Sequence, residues 1–218
     1  MKQTTILCYG DSNTYGYDPR TDGRRYPAEV CWTTRFARAL GEEYRVIVEG
    51  LSGRTTAYDR LEFPWKNGYP YLTPCLASHK PIDYLIIMLG TNDCNVEMAL
   101  SAEKIAAGME LLVRTAEEIT QAEQGYVPRI VVVAPAAIRP ELEGTPFAYQ
   151  LDGTSVQKSH DIAPLYREIA EAHGCLFLDA TREVEVSPID CEHLTERGHA
   201  RLAELMTELV LRDQKCAK

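Results

Sequence analysis

Residues 4–16 read TTILCYGDSNTYG, a short apolar run that ends abruptly in a glycine, an aspartate and a serine. The run from Ile6 to Tyr9 has the length and the β-branched start of a buried strand. Gly10 interrupts the run, and the simplest continuation is a turn into a helix. Ser12 would then lie beyond the carboxyl end of a strand, where open α/β sheets bind their ligands. Taken alone, Asp11 and Ser12 are equally typical of residues that cap a helix.

The remainder of the chain alternates short apolar runs with amphipathic stretches. Further strands are predicted at 45–49, 82–89, 130–134 and 176–179, and helices at 32–40, 101–124, 155–173 and 195–212. Two long loops are predicted, one over 59–74 that leads into a short helix ending near His79, and one over 136–154. Pro164 either kinks or divides the helix in which it lies. The alternation predicts a three-layer α/β/α sandwich around a mostly parallel five-stranded sheet, formed by residues 1–218 as one domain.

Composition restricts the classes of partner. The chain has 218 residues and a formal net charge of −9, which argues against a nucleic-acid binder or a membrane-surface binder. No basic segment followed by a long apolar stretch precedes the first strand, and no apolar run reaches the length of a membrane-spanning helix. The seven cysteines are scattered and contain no C-x-x-C pair. A reduced, cytoplasmic location is therefore predicted.

Four polar segments are expected at one edge of this sheet: GDS at 10–12, GLSGR at 50–54, GTND at 90–93 and DCEH at 190–193. The first three follow predicted strands directly, so they converge if those strands are neighbours. Together they supply a serine, a histidine, carboxylates and amide donors. This is the set of groups that acyl transfer requires.

In acyl transfer, the serine, the histidine, the carboxylate and the amide donors each have a distinct role. A serine hydroxyl needs a base to accept its proton before it can attack an ester, and histidine can accept that proton and return it to the leaving group. A carboxylate on the other ring nitrogen fixes the tautomer. Backbone N–H groups of Ser12 and Gly53 and the side-chain amide of Asn92 are candidate donors to the oxyanion.

The four segments, in this order, resemble the four sequence blocks of the SGNH, or GDSL-type, hydrolases. The resemblance implies that Ser12 is the nucleophile, that Asp190 and His193 complete the catalytic triad, and that Ser12, Gly53 and Asn92 form the oxyanion hole. It also implies the flavodoxin-like fold of that family, with neither a cofactor nor a metal. The segments EGLSGRTT and IIMLGTND look most like the aryl esterase and acyltransferase subgroup. That subgroup suggests small esters with short acyl chains, such as acetyl esters of aryl alcohols or sugars, and a homo-oligomer.

One departure from the family concerns the residue after the nucleophile. The usual GDSLT is GDSNT here, so Asn13 replaces a leucine and becomes a candidate substrate-binding residue. Trp65 in the first long loop is a second candidate. The aromatic residues of both loops are candidates for the walls of an acyl or alcohol pocket or for a subunit contact. The sequence does not choose between hydrolysis and acyl transfer, because both proceed through the same acyl-enzyme.

Other interpretations of the same residues stay open. Asp190 and His193 could be a capping residue and a surface histidine, while Asp11 and Asp93 are expected to be structural. A metal-dependent phosphoesterase could use Asp11, Asn92, Asp93 and His193, and a non-catalytic ligand-binding α/β domain could keep the same fold. A nucleotide-binding module is disfavoured because GDSNTYG lacks the glycine spacing of a phosphate cradle. Four histidines have no partner motif: His79, His160, His173 and His199. Of these, His173 and His199 are predicted on helix surfaces, and His160 is a candidate for the pocket loop.

Overall fold

Five parallel strands form one sheet in the computed structural model, which describes residues 3–216. The strands are β1 (Thr4–Gly10), β2 (Tyr44–Gly50), β3 (Tyr84–Met88), β4 (Arg129–Ala134) and β5 (Leu176–Asp179). Their order across the sheet is β2-β1-β3-β4-β5, and every neighbouring pair is parallel. The chain extends the sheet first on one side of β1 and then on the other. The carboxyl end of β1 is therefore a topological switch point, where such sheets form binding crevices.

Helices cover both faces of the sheet, so the predicted α/β/α sandwich is confirmed. They are α1 (Ser12–Tyr15), α2 (Trp32–Leu40), α3 (Gly68–His79), α4 (Ala102–Gln124), α5 (Gly153–Ala172) and α6 (Glu196–Cys216). On β1, Ile6 and Cys8 pack with α2 and α6, whereas Leu7 and Tyr9 pack with α3, α4 and α5. This alternation follows from the period of two along a strand. Within residues 3–216, no helix combines the length and the apolar character needed to cross a membrane.

The turn from β1 into α1 depends on a residue without a side chain. A Cβ on Gly10 would lie 2.1 Å from the Thr14 hydroxyl oxygen and 2.9 Å from the Met88 carbonyl oxygen. Asp11 then caps α1, because its carboxylate accepts a hydrogen bond from the Asn13 backbone N–H at 2.9 Å. This tight arrangement presents Ser12 at the carboxyl edge of the sheet.

One of the two proline-containing segments differs from its prediction. The first predicted loop is shorter than expected, because α3 begins at Gly68, capped by the Asn67 side chain. Pro70 lies in the first turn of α3, where backbone N–H groups have no intrahelical acceptor, and Pro74 removes only one further hydrogen bond. The helix predicted at 155–173 is found as α5, which runs from Gly153 to Ala172, and Pro164 lies inside it without dividing it. The second long loop, over 136–154, is confirmed up to the start of α5.

The prediction that His199 lies on a helix surface is wrong. Its side chain is fully buried, and its Nδ1 accepts a hydrogen bond from the Trp32 backbone N–H at 3.2 Å. His199 therefore supplies from α6 the cap that Cys31, at the start of α2, does not provide. Burial lowers the pKa of His199 to about 3, with a smaller contribution from the Arg35 guanidinium.

The buried His199 is expected to make folding sensitive to acid. The pKa of His199 is depressed in the folded state, whereas in the unfolded state it is about 6.5. As the pH falls below that value, only the unfolded chain protonates His199. The free energy of unfolding therefore decreases as the pH falls, by about 2 kcal/mol between pH 7 and pH 5. Urea unfolding of the wild type and of His199→Gln at both pH values measures the loss, which the variant should lack. The exposed His160→Gln is the matched control, and an equal acid-dependent loss in His199→Gln would contradict the assignment.

Candidate active site

The four polar segments meet at the carboxyl edge of the sheet. Ser12 begins α1 directly after β1, Gly53 lies in the turn after β2, and Asn92 lies in the turn after β3. His193 comes from the loop between β5 and α6. All four residues line one cavity of about 210 Å³. The predicted convergence of these segments is therefore observed.

Three side chains form a continuous chain of hydrogen bonds. The Nε2 atom of His193 lies 2.9 Å from the Ser12 hydroxyl oxygen, and its Nδ1 lies 2.7 Å from an Asp190 carboxylate oxygen. The second Asp190 oxygen accepts the His193 backbone N–H at 3.1 Å, which fixes the carboxylate itself. A proton on Nδ1 leaves Nε2 free to accept the proton of the serine hydroxyl. The arrangement can therefore activate Ser12 as a nucleophile.

The surroundings of His193 set its basicity. Burial alone would lower the pKa of His193, but the hydrogen bond that the ring donates to Asp190 and the nearby carboxylates of Glu192 and Asp11 outweigh burial. The pKa of His193 is therefore raised above its ordinary value of about 6.5. A raised pKa suits a base that must hold a proton and then return it to a leaving group.

Donors for a developing negative charge lie beside Ser12. In the part of the chain that the structure describes, the backbone N–H groups of Ser12 and Gly53 have no hydrogen-bond acceptor within the protein. The Asn92 side-chain amide lines the same cavity and donates to the Arg54 carbonyl oxygen at 3.1 Å. Gly53 adopts a φ of +83°, a conformation that favours glycine. The three predicted oxyanion donors thus border one space.

Buried polar contacts hold these turns together. The Asp93 carboxylate accepts the Thr56 backbone N–H at 3.0 Å, which ties the turn after β3 to the turn after β2. The buried Arg54 guanidinium donates to the Gly10 carbonyl oxygen at 2.9 Å and lies over the Tyr9 ring. Burial raises the pKa of Asp93 to about 6. These contacts fit the structural role expected of Asp93.

Asn13 lies outside the lining of the cavity. Its side-chain amide donates to the Glu192 carbonyl oxygen at 3.2 Å, and its side-chain oxygen accepts the Leu194 backbone N–H at 3.0 Å. Both polar atoms are thus used to fasten the loop that carries His193 to the turn that carries Ser12. The leucine expected at this position could not make these bonds.

The other candidates from the two loops separate into two groups. Trp65, the second candidate for substrate binding, is 63% exposed and does not line the cavity, although its ring contacts that of Phe63, which does. Phe147 and Tyr149 of the second loop line the cavity. His160 is exposed on α5 and does not reach it.

One aromatic ring, Tyr17, and one acid, Glu192, are missing from the sequence-based prediction, whereas Phe147 belongs to the loop aromatics expected at the pocket. Tyr17 stacks on the His193 ring with 4.0 Å between centroids, and Phe147 meets it edge-on at 5.7 Å. The buried Glu192 lines the cavity 3.9 Å from His193 Nδ1, and burial raises its pKa to about 7. Tyr17 lies in an irregular segment without a periodic pattern. Glu192 could have been noticed only as the charged residue inside the D-x-x-H block.

One group of side chains within residues 3–216 has the composition of a metal site, and it lies away from the cavity. The candidate ligand atoms of Glu49, Cys75 and His79 all lie within 4.8 Å of one another. His79 Nε2 already pairs directly with Glu49 at 2.8 Å. In the same described range, no such group is formed by the residues considered for a metal-dependent phosphoesterase: Asp11, Asn92, Asp93 and His193.

Comparison with known proteins agrees with the geometry. The profile of the GDSL-like lipase/acylhydrolase family matches residues 8–201. A carbohydrate acetylesterase from Sinorhizobium meliloti superposes with a TM-score of 0.90, at 34% identity, over 96% of this chain and 99% of its own. The M. smegmatis aryl esterase superposes with a TM-score of 0.89, at 35% identity, over 96% and 99%. Among curated proteins, no sequence matches the chain.

The family match spans most of the chain, from β1 into α6, and it includes all four segments that form the cavity. The structural relatives extend over nearly the whole chain at more than 30% identity. The chain belongs to the GDSL-like lipase/acylhydrolase family of serine ester hydrolases.

Proposed function

We propose that this serine ester hydrolase cleaves small carboxylic esters through an acyl-enzyme on Ser12. The observation that carries the proposal is the hydrogen-bonded chain from Ser12 through His193 to Asp190, with contacts of 2.9 and 2.7 Å. These three residues are the proposed catalytic triad. The backbone N–H groups of Ser12 and Gly53 and the Asn92 amide are the proposed oxyanion hole.

The proposed reaction has two halves. The Ser12 oxygen attacks the ester carbonyl carbon while its proton moves to His193 Nε2, and the oxyanion hole receives the charge that develops on the carbonyl oxygen. The bond to the alcohol oxygen then breaks as His193 returns the proton to that oxygen. Water, activated by His193 in the same way, releases the acid from Ser12. An alcohol in place of water would give acyl transfer, which we propose as a second outcome of the same acyl-enzyme.

Short acyl chains and aryl or sugar alcohols are the proposed substrate class. The cavity beside Ser12 has a volume of about 210 Å³ and is partly walled by Phe63, Phe147 and Tyr149. Small ligands bury most of their surface in such sites, so a space of this size favours acetyl and similar groups. The similar structures include an aryl esterase and a carbohydrate acetylesterase, which supports the same class.

A serine-directed phosphonate ester tests the proposal. The probe should lose one leaving group and add covalently to one residue, because only an activated serine displaces it at a useful rate. Peptide mass spectrometry is expected to locate the adduct on Ser12, and Ser12→Ala should remain unlabelled. An adduct at another serine, or full ester hydrolysis by the fully labelled protein, would contradict the proposal.

Assembly and location are proposed on separate grounds. We infer a homo-oligomer from large exposed apolar residues near the cavity: Leu61 is 98% exposed, Trp65 63% and Tyr149 78%. Aromatic residues are enriched at interfaces between protein subunits.

A cytoplasmic location is supported by the free cysteines, most of which are buried. Residues 1–218 are proposed to act as one domain, since one sheet carries every residue of the site.

A further inference from the structure

Lys66 occupies an unusual place in the wall of the ester cavity. Its side chain lines the cavity together with Ser12 and Asn92. The stem and ammonium group pack against the α-carbon of Gly53, because a Cβ added there would lie 2.8 Å from Lys66 Nζ. The ammonium also lies 4.6 Å from the centroid of the Phe63 ring. A cation is therefore held beside the turn that carries a proposed oxyanion donor.

Lys66 lacks a counter-ion among the described residues, unlike two other cations of the chain. Arg60, which also lines the cavity, is paired with Glu97 at 2.6 Å, and Lys80 on the outer surface is paired with Glu123. Across residues 3–216, the Lys66 ammonium forms neither an ion pair nor a hydrogen bond with any group. Burial, and secondarily the Arg60 guanidinium, lower the pKa of Lys66, as expected for a partly dehydrated cation without a partner.

The nearest acid in the cavity does not neutralise Lys66. Glu192 lies on the histidine side, 3.9 Å from His193 Nδ1, and its raised pKa reflects burial beside Asp190. The cavity thus keeps an unpaired positive charge in a protein whose formal net charge is −9. Lysine side chains are normally exposed to water or paired, so an unpaired one beside a ligand space favours an anionic ligand.

We propose that Lys66 is a specificity residue that binds an anionic group, such as a carboxylate, on the ester substrate. The inference rests on the proposed function, because the substrate must enter the cavity beside Ser12. An ammonium forms a charge-assisted hydrogen bond with a carboxylate, and a partly buried setting strengthens that bond. Lys66 is not required to touch the reacting atoms. It selects among esters by the charge that they carry.

Two matched pairs of esters test the inference and identify which half of the substrate carries the charge. For the alcohol side, 4-acetoxybenzoate is compared with the neutral 4-acetoxybenzamide. For the acyl side, mono-4-nitrophenyl succinate is compared with 4-nitrophenyl butyrate. The ratio of kcat/KM for the charged ester to kcat/KM for its neutral partner is the quantity measured. In the pair whose charged group reaches Lys66, Lys66→Met is expected to lower this ratio roughly tenfold, the effect of one charge-assisted hydrogen bond. Lys66→Arg should keep most of the ratio, and added salt should reduce it in the wild type.

The controls separate this inference from the proposed function. Lys80→Met removes a lysine from the outer surface and should leave both ratios unchanged. Ratios that stay constant in Lys66→Met, with both members of each pair falling in parallel, would overturn the specificity role and point to a general effect of Lys66 on the oxyanion turn. Retention of neutral-ester turnover by Ser12→Ala would instead overturn the proposed function itself.

Discussion

Ser12→Ala is expected to lower kcat for p-nitrophenyl acetate by at least roughly 10⁴-fold, the loss typical when the nucleophile of a serine hydrolase is removed. The reason is that no acyl-enzyme can form without the Ser12 hydroxyl, while the oxyanion donors and the binding cavity stay in place. Those remaining groups should leave a small residual rate above that of water. Steady-state release of p-nitrophenol measures the loss directly.

The fold of this variant should be preserved. The Ser12 side chain is small, and its described contact is with His193, so its loss removes little packing. Far-UV circular dichroism and the melting temperature are therefore expected to stay close to those of the wild type. Ser78→Ala is the matched control, since Ser78 is an exposed serine on α3 whose hydroxyl bonds only the local backbone. Turnover of Ser12→Ala at the level of this control would rule out Ser12 as the nucleophile.

Local sequence patterns predict the regular elements well where the pattern itself decides the structure. The predicted bounds of α2 and β5 agree with the structure residue for residue, and Ser101 caps α4 as expected. At α2 and α4 a terminal signal, Gly41 or the capping Ser101, coincides with one end of the hydrophobic period. The end of α3 at His79 agrees with the prediction, but the start of α3 was placed too late, because the density of prolines there resembles that of a loop. Only the position of each proline within a turn shows that a helix can include it.

Local sequence patterns do not predict contacts between segments that are distant in the chain. The periodicity of α6 does not show that His199 faces α2, since the acceptor for the Trp32 N–H comes from a residue far away in the chain. Likewise, Asn13 was expected near the substrate because it follows the nucleophile. Its side chain is instead used by the loop that holds Glu192 and Leu194. Such assignments need the tertiary structure.

The candidate site was predicted in its polar residues and in part of its walls, since Phe147 and Tyr149 belong to the aromatic residues expected there. Ser12, Gly53, Asn92 and His193 are found together because short polar segments follow strands whose ends share one edge. Tyr17 and Lys66 carry no such signal, since an aromatic ring or a cation in an irregular segment has many possible surroundings. The residue types that perform chemistry were therefore easier to predict than those that select a substrate.

Asp190→Asn is expected to lower kcat for p-nitrophenyl acetate by roughly 10⁴-fold while keeping the shape of the site. The Asp190 carboxylate accepts a hydrogen bond from the Nδ1–H group of His193 at 2.7 Å, and an amide NH₂ at that place would instead donate toward Nδ1. The ring would then carry its proton on Nε2, which faces Ser12 and could no longer accept the serine proton. The nucleophile would remain present but inactive.

The pH profile supplies the measurement that separates this effect from simple misfolding. Neutral His193 is the proposed base, and its pKa is raised, so in the wild type kcat/KM should rise with pH along a limb whose midpoint lies above about 6.5. Loss of the Asp190 carboxylate removes the interaction that raises the pKa of His193 most. The residual activity of Asp190→Asn should therefore show its rising limb at lower pH.

Glu192→Gln is the matched control, because it also replaces a buried carboxylate close to His193 Nδ1, at 3.9 Å, and leaves the hydrogen bond between His193 and Asp190 intact. Its limb should shift in the same direction, since Glu192 also raises the His193 pKa, but its kcat should fall far less. Equal losses of kcat in the two variants would show that Asp190 acts only as one more nearby charge and does not orient the base.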